Sequence, residues 1–80
     1  MLIEVFGPGC AKCHRSAEVA QRFLADRGVD GEVIRHADID AMVERGVLRT
    51  PTVFIDGETV VAGRVLRPAD LDAWMAAHPD

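Results

Sequence analysis

No run of basic residues occurs in this sequence, and its formal net charge is −4. Without clustered lysine and arginine nothing is available to neutralise consecutive phosphates, which argues against general nucleic-acid binding. Also missing is any apolar run long enough to cross a bilayer. The opening Met1-Leu2-Ile3-Glu4 lacks the basic segment and apolar stretch of a secretory leader. A cytoplasmic protein without a membrane partner is expected. Aromatic side chains are few, three Phe and one Trp; at Phe6, Phe23, Phe54 and Trp74 they read as core, with Phe6 close enough to the first turn to be a possible contact for a ligand. Repeats and low-complexity stretches are absent. The 80 residues suffice for a single domain, 1–80, expected as a monomer of modest stability, because a short chain buries a small share of its surface.

Cysteine is equally scarce. The only two are in Gly7-Pro8-Gly9-Cys10-Ala11-Lys12-Cys13, where an apolar run, Met1 to Phe6, gives way to helical spacing. A disulfide that closes so short a loop removes little entropy from the unfolded chain, so a purely structural bridge here would be a weak staple. In a reducing compartment a lone pair more often serves reactivity or metal binding. Cys10 falls at the start of the helix, where unpaired N–H groups and the positive end of the dipole favour a thiolate. Lys12 is either a solvated helix residue or a cation that lowers the Cys10 pKa further, through a field that salt screens. Cys13, one turn on, should be less exposed and less acidic. Cys10 is thus expected to attack and Cys13 to resolve.

Met1 to Phe6 is apolar at nearly every position except Glu4 and predicts a central strand covered on both faces. Cys13, Ala17, Ala20, Phe23 and Leu24 follow helical spacing over Ala11 to Arg27, with Gly28 as the stop. Glu32 to His36 predicts a second strand. Asp38 caps a short helix, Ile39 to Arg45, expected to bury Ile39, Met42 and Val43 before Gly46 ends it. Thr52 to Ile55 and Thr59 to Ala62 flank Asp56-Gly57 and predict a hairpin. Pro68 opens a last helix that buries Leu71, Trp74 and Met75. The order is βαβαββα, an α/β domain with a four-stranded mixed sheet and three helices. The crossover makes the first two strands parallel, and an antiparallel third strand would start, at Thr50-Pro51, beside Cys10.

With the Gly-Pro-Gly-Cys-Ala-Lys-Cys turn, the Arg49-Thr50-Pro51-Thr52-Val53-Phe54-Ile55-Asp56-Gly57 hairpin and Val61-Ala62-Gly63-Arg64 all in place, the chain resembles the thioredoxin superfamily. In size and element order it is similar to the short members called small redox-active disulfide proteins. The resemblance implies a truncated, glutaredoxin-sized thioredoxin-like fold and a thiol-disulfide oxidoreductase. Such a protein would carry electrons from a thioredoxin reductase-type donor to protein disulfides, with no cofactor beyond Cys10 and Cys13 and no metal. It implies a cis-proline at Pro51, with the backbone of Thr50 open to an extended substrate, and a close backbone approach at Gly63. The chain departs from ordinary thioredoxins in having Gly9 where they carry an aromatic residue, and Ala11-Lys12 in place of Gly-Pro. That leaves the dithiol less shielded.

Glu4, six residues before Cys10, resembles the buried aspartate that ordinary thioredoxins use to relay protons to the resolving thiol. Burial in a central strand would raise its pKa and suit that role. Against this, one sheet face is covered only by the short helix, and the balance tips towards a solvated Glu4. Cys10-x-x-Cys13-His14 also spells a c-type haem attachment site, set aside because that group goes with exported, mostly helical proteins. Two readings stay open beside the thioredoxin-like one: a glutaredoxin-like, glutathione-linked oxidoreductase, and a carrier of Cu(I) or Zn(II) on the two thiolates, with His14 and His36 as the nearest further donors.

Overall fold

The computed structural model describes residues 1–79. Strand β1 (Leu2–Phe6) is followed by helix α1 (Ala11–Arg27), β2 (Glu32–His36), α2 (Ile39–Glu44), β3 (Thr52–Ile55), β4 (Glu58–Ala62) and α3 (Pro68–Ala77). The sheet order is β2-β1-β3-β4. β1 runs parallel to β2, with Phe6 opposite His36, and antiparallel to β3, with Phe6 opposite Thr52. The expected element order and mixed sheet are therefore present, with small shifts of boundary: β1 begins at Leu2, β4 begins at Glu58, and α2 stops at Glu44.

Period-two alternation divides β1 and β3 between two layers. Ile3 and Val5 join Val53, Ile55 and Val61 in one core with Ala17, Ala20, Phe23 and Leu24 of α1 and Leu71 of α3. On the opposite face Phe6 and Phe54 meet Met42 of α2. The tie between α1 and the approach to α3 is polar: the hydroxyl of fully buried Ser16 accepts the Leu66 N–H at 3.0 Å.

Local chemistry sets the element ends. Gly28, at φ 61°, ends α1 in the left-handed region that a side chain would disfavour. The Asp38 carboxylate accepts the Asp40 N–H at 3.1 Å and caps α2. Asp56 and Gly57 both have positive φ, as a two-residue hairpin turn requires. Asp56 also exchanges two hydrogen bonds of 2.8 Å with the backbone of Leu2, pinning the hairpin to the start of β1. Pro68 occupies the first turn of α3, where its missing N–H costs nothing.

Two expectations of burial fail. Of the stripe predicted for α2, only Met42 is buried; Ile39 and Val43 are 71% and 72% exposed. A six-residue helix can press only a small area onto the sheet. Here the Arg45 guanidinium lies 4.4 Å from the Phe54 ring centroid and takes aromatic surface that an aliphatic side chain would otherwise cover. In α3, Leu71 is fully buried, whereas Trp74 and Met75 are half-buried at the margin of the larger core.

Candidate active site

The end of the sheet where β1, β2 and β4 finish and β3 begins carries the thiols. Cys10 precedes the first turn of α1 in an extended conformation, φ −71° and ψ 167°, and its carbonyl accepts the His14 N–H at 3.0 Å. Both cysteines are free; Cys10 is exposed and Cys13 buried, with their sulfurs 2.8 Å apart.

Their acidities diverge. The Cys10 pKa is lowered, first by the hydrogen bond available from the Cys13 thiol and then by the backbone N–H groups of Cys13 and Lys12 at the opening of the helix. The Cys13 pKa is raised, first by burial and then by its hydrogen bond with Cys10. Helix-tip dipoles and the neighbouring thiol thus do the work that the sequence reading shared with the Lys12 side chain; it is the Lys12 backbone that figures among the leading causes.

Gly7, buried at the end of β1, was not singled out from the sequence. A Cβ placed on it would fall 2.1 Å from Cys13 Sγ and 3.7 Å from the Thr50 Cβ, so only glycine lets the buried sulfur and the loop before β3 close around this point. Its signal in the sequence was the Gly-Pro-Gly run itself.

The Thr50–Pro51 peptide is cis. Pro51 is buried and Thr50 exposed, and the Pro51 carbonyl accepts the Gly63 N–H at 2.8 Å. Pro51 and Gly63 are thus joined at the same end of the sheet, and Thr50 approaches Gly7 beside Cys13. The space above Gly63 is already taken: a side chain there would begin 3.3 Å from Arg49 Cδ and 3.4 Å from Arg49 Cβ.

Glu4 matches neither of its two expectations. It is 8% exposed, so it is not solvated. Yet its pKa is lowered, because hydrogen bonds from Arg45 and His36, with their charges, outweigh the desolvation that pushes it up. Arg45 grips the carboxylate with contacts of 3.2 to 3.3 Å, and His36 Nε2 lies 3.0 Å from Oε2. A carboxylate held ionised in this way is not the raised-pKa proton relay of the sequence reading. His36 also stacks on Phe6, with centroids 4.3 Å apart, and Phe6, 1% exposed, is core.

The two histidines considered as metal donors have other neighbours: His36 pairs with Glu4, and His14 Nε2 lies 3.3 Å from Arg35. Among the described residues no group of three or more His, Cys, Asp or Glu side chains is placed to hold a metal ion. No helix among them is long and apolar enough to cross a membrane.

Comparison with known proteins identifies the family and the fold. A family model described as a thioredoxin domain matches residues 1–76. The chain is 32% identical over 65 residues to a thioredoxin of Methanothermobacter thermautotrophicus, an overlap covering 81% of this chain and 84% of that one. Among solved structures, thioredoxin 1 of the thermophilic eubacterium Thermosipho africanus superposes with a TM-score of 0.63 at 19% identity, covering all of both chains. Reduced Escherichia coli glutaredoxin superposes with a TM-score of 0.59 at 20% identity, covering 100% of this chain and 99% of that one. At such identities the two structures speak for the fold.

Proposed function

The chain belongs to the thioredoxin domain family and is a thiol-disulfide oxidoreductase, and from that premise we propose that Cys10 and Cys13 are its working dithiol. The reading rests on one observation: an exposed, acidified thiol lies 2.8 Å from a buried, less acidic one. The Cys10 thiolate attacks one sulfur of a substrate disulfide. The other substrate sulfur leaves as a thiolate and takes a proton from solvent. Cys13 then gives up its proton and attacks the Cys10 sulfur; the second substrate sulfur leaves as a thiolate and takes up that proton through solvent, leaving the Cys10–Cys13 disulfide and a substrate with two thiols. Two electrons have passed to the substrate, and a reductase-type donor returns them.

The backbone of Thr50, beside Pro51, is proposed to pair with the extended substrate segment, with Gly63 bordering the same groove. Lys12, two residues after Cys10, helps to tune that thiol through its backbone N–H at the opening of α1. Glu4 is assigned to anchoring Arg45 and His36 under the site. Protein disulfides in a reducing compartment, the cytoplasm, are the proposed substrates. No metal or organic cofactor enters the exchange.

Trapping provides the test. Cys13→Ser should accumulate proteins bound through Cys10 that reductant releases, while Cys10→Ser should accumulate none. Thiolate absorbance should titrate for Cys10 below the value of about 8.5 for free cysteine. An empty trap, together with a first thiol no more acidic than free cysteine, would overturn the assignment. A donor assay separates the glutaredoxin-like alternative: the oxidised protein should be reduced faster by a flavin thioredoxin reductase than by glutathione.

A further inference from the structure

Between α2 and the start of α3 the arginines other than Arg49, which are Arg45, Arg64 and Arg67, each reach a carboxylate. Arg64 is bidentate to Asp70 at 2.7 and 2.8 Å, and Arg45 is committed to Glu4. Arg49 differs. No carboxylate among the described residues pairs with it, although it stands in a chain of net charge −4.

Arg49 is nonetheless held in place. Its carbonyl accepts the Thr52 hydroxyl, and its Cβ and Cδ rest against the face of Gly63 that has no side chain. Gly63 is in turn bonded to Pro51 at 2.8 Å and sits at φ 87°, a conformation that favours glycine. The next residue, Thr50, packs against Gly7, which also touches Cys13 Sγ. Arg49 further borders a cleft of about 180 Å³ that Thr52, Phe54 and Ala62 help to line. A cation whose stem packs on Gly63, and whose head has no carboxylate partner among the described residues, therefore stands one residue before Thr50. Lys12, two residues after Cys10, likewise has no carboxylate partner among the described residues.

We infer that Arg49 is a specificity-determining residue, selecting peptide disulfides that carry an acidic side chain next to the cysteine. The inference rests on Cys10 and Cys13 being the working dithiol. A guanidinium offers a planar fork that matches a carboxylate, and here no internal carboxylate has to be displaced. Its stem loses little freedom on binding because Gly63 already orders it. The exchange reaction is unchanged; Arg49 acts on which disulfide is presented to Cys10.

The test uses the fully reduced protein in single turnover with two synthetic peptides. Each carries one intramolecular disulfide, and they differ only in Glu or Lys beside one cysteine. At low ionic strength the Glu peptide should be reduced about tenfold faster, since one side-chain charge changes sign beside the cation, a difference of two charge units. The ratio should shrink with salt, as the screening length falls from about 10 Å at 0.1 M to about 3 Å at 1 M. Arg49→Glu should reverse the preference, and Arg49→Lys should keep its direction with a smaller ratio. Equal rates for the two peptides, or a preference that survives Arg49→Glu with the fold intact by circular dichroism, would overturn the inference while the dithiol reading stands. Oxidised glutathione, which also carries carboxylates, should be slower than the Glu peptide at equal concentration; a faster glutathione reaction overturns the commitment to a peptide. If neither peptide nor a small aromatic disulfide is reduced, the dithiol reading itself fails and takes the inference with it.

Discussion

The two faces of the sheet are held by different forces. Towards α1 and α3, Ile3, Val5, Val53, Ile55 and Leu71 are between 0% and 1% exposed and make up an ordinary apolar core. Towards α2, three buried apolar side chains share the space with an ionised glutamate, an arginine stacked on two aromatic rings and a histidine stacked on one. The first face gains from water exclusion, which is non-directional and scales with buried area. The second depends on geometry, because a desolvated carboxylate is tolerable only while its partners stay in place. The thiols sit at the junction: α1, rooted in the apolar face, brings Cys10 and Cys13, while the segment after α2 brings Thr50 and Pro51. A stable scaffold thus supports the helix tip that carries the thiols, and a more weakly anchored helix precedes Thr50 and Pro51.

Substitutions on each side should separate these contributions. Leu71→Ala removes a fully buried side chain from the apolar face and should cost about 2–5 kcal/mol in denaturant unfolding, enough to threaten a domain this small. A loss under 1 kcal/mol would mean that the apolar face is not the main source of stability.

At the junction, Gly7→Ala drives a methyl group into Cys13 Sγ. It should cost about 1–3 kcal/mol by overpacking and slow closure of the Cys10–Cys13 disulfide after oxidation, whereas an unchanged closure rate would show that the sulfur has room to move.

Glu4→Gln probes the charged face. Arg45 is partly exposed, so solvent screens the pair and the loss at neutral pH should be about 1–2 kcal/mol. The folded-state pKa of Glu4 lies below its unfolded value of about 4.3. Its contribution is therefore present above that value and disappears as pH falls through the lowered one. Unfolding curves for wild type and Glu4→Gln should converge in acid; a constant gap down to pH about 2 would contradict the ion pair. Smallest of all, Val43→Ser should change stability by no more than about 0.5 kcal/mol, since the side chain already faces solvent.

Much of this fold was legible because its punctuation is local. Gly28, Asp38, Asp56-Gly57 and Pro68 act through their own backbone conformations or hydrogen bonds to close neighbours, and each ended or began an element where the sequence implied. The placement of the two thiols was legible for the same reason, since they fall at a strand-to-helix turn. The environment of Glu4 was not. Its partners, His36 and Arg45, are 32 and 41 residues away, and the sign of its pKa shift depends on whether they reach it. The exposure of Ile39 and Val43 was hidden likewise, because a helical stripe predicts which residues share a face but not how much sheet is left for them to cover.

Sequence by itself determined the order of elements, the parallel and antiparallel senses of the strands, and the pairing of an early thiol turn with a later Thr-Pro segment. These follow from side-chain period, turn conformations and crossover handedness, which act over a few residues or through chain connectivity. Only the tertiary structure decided that Gly7 must admit the Cys13 sulfur, that Glu4 is buried as an anion and that Arg49 lies across Gly63. Each is a distance between groups far apart in the chain, fixed when packing brings them together, and desolvation and Coulomb energies depend on those distances.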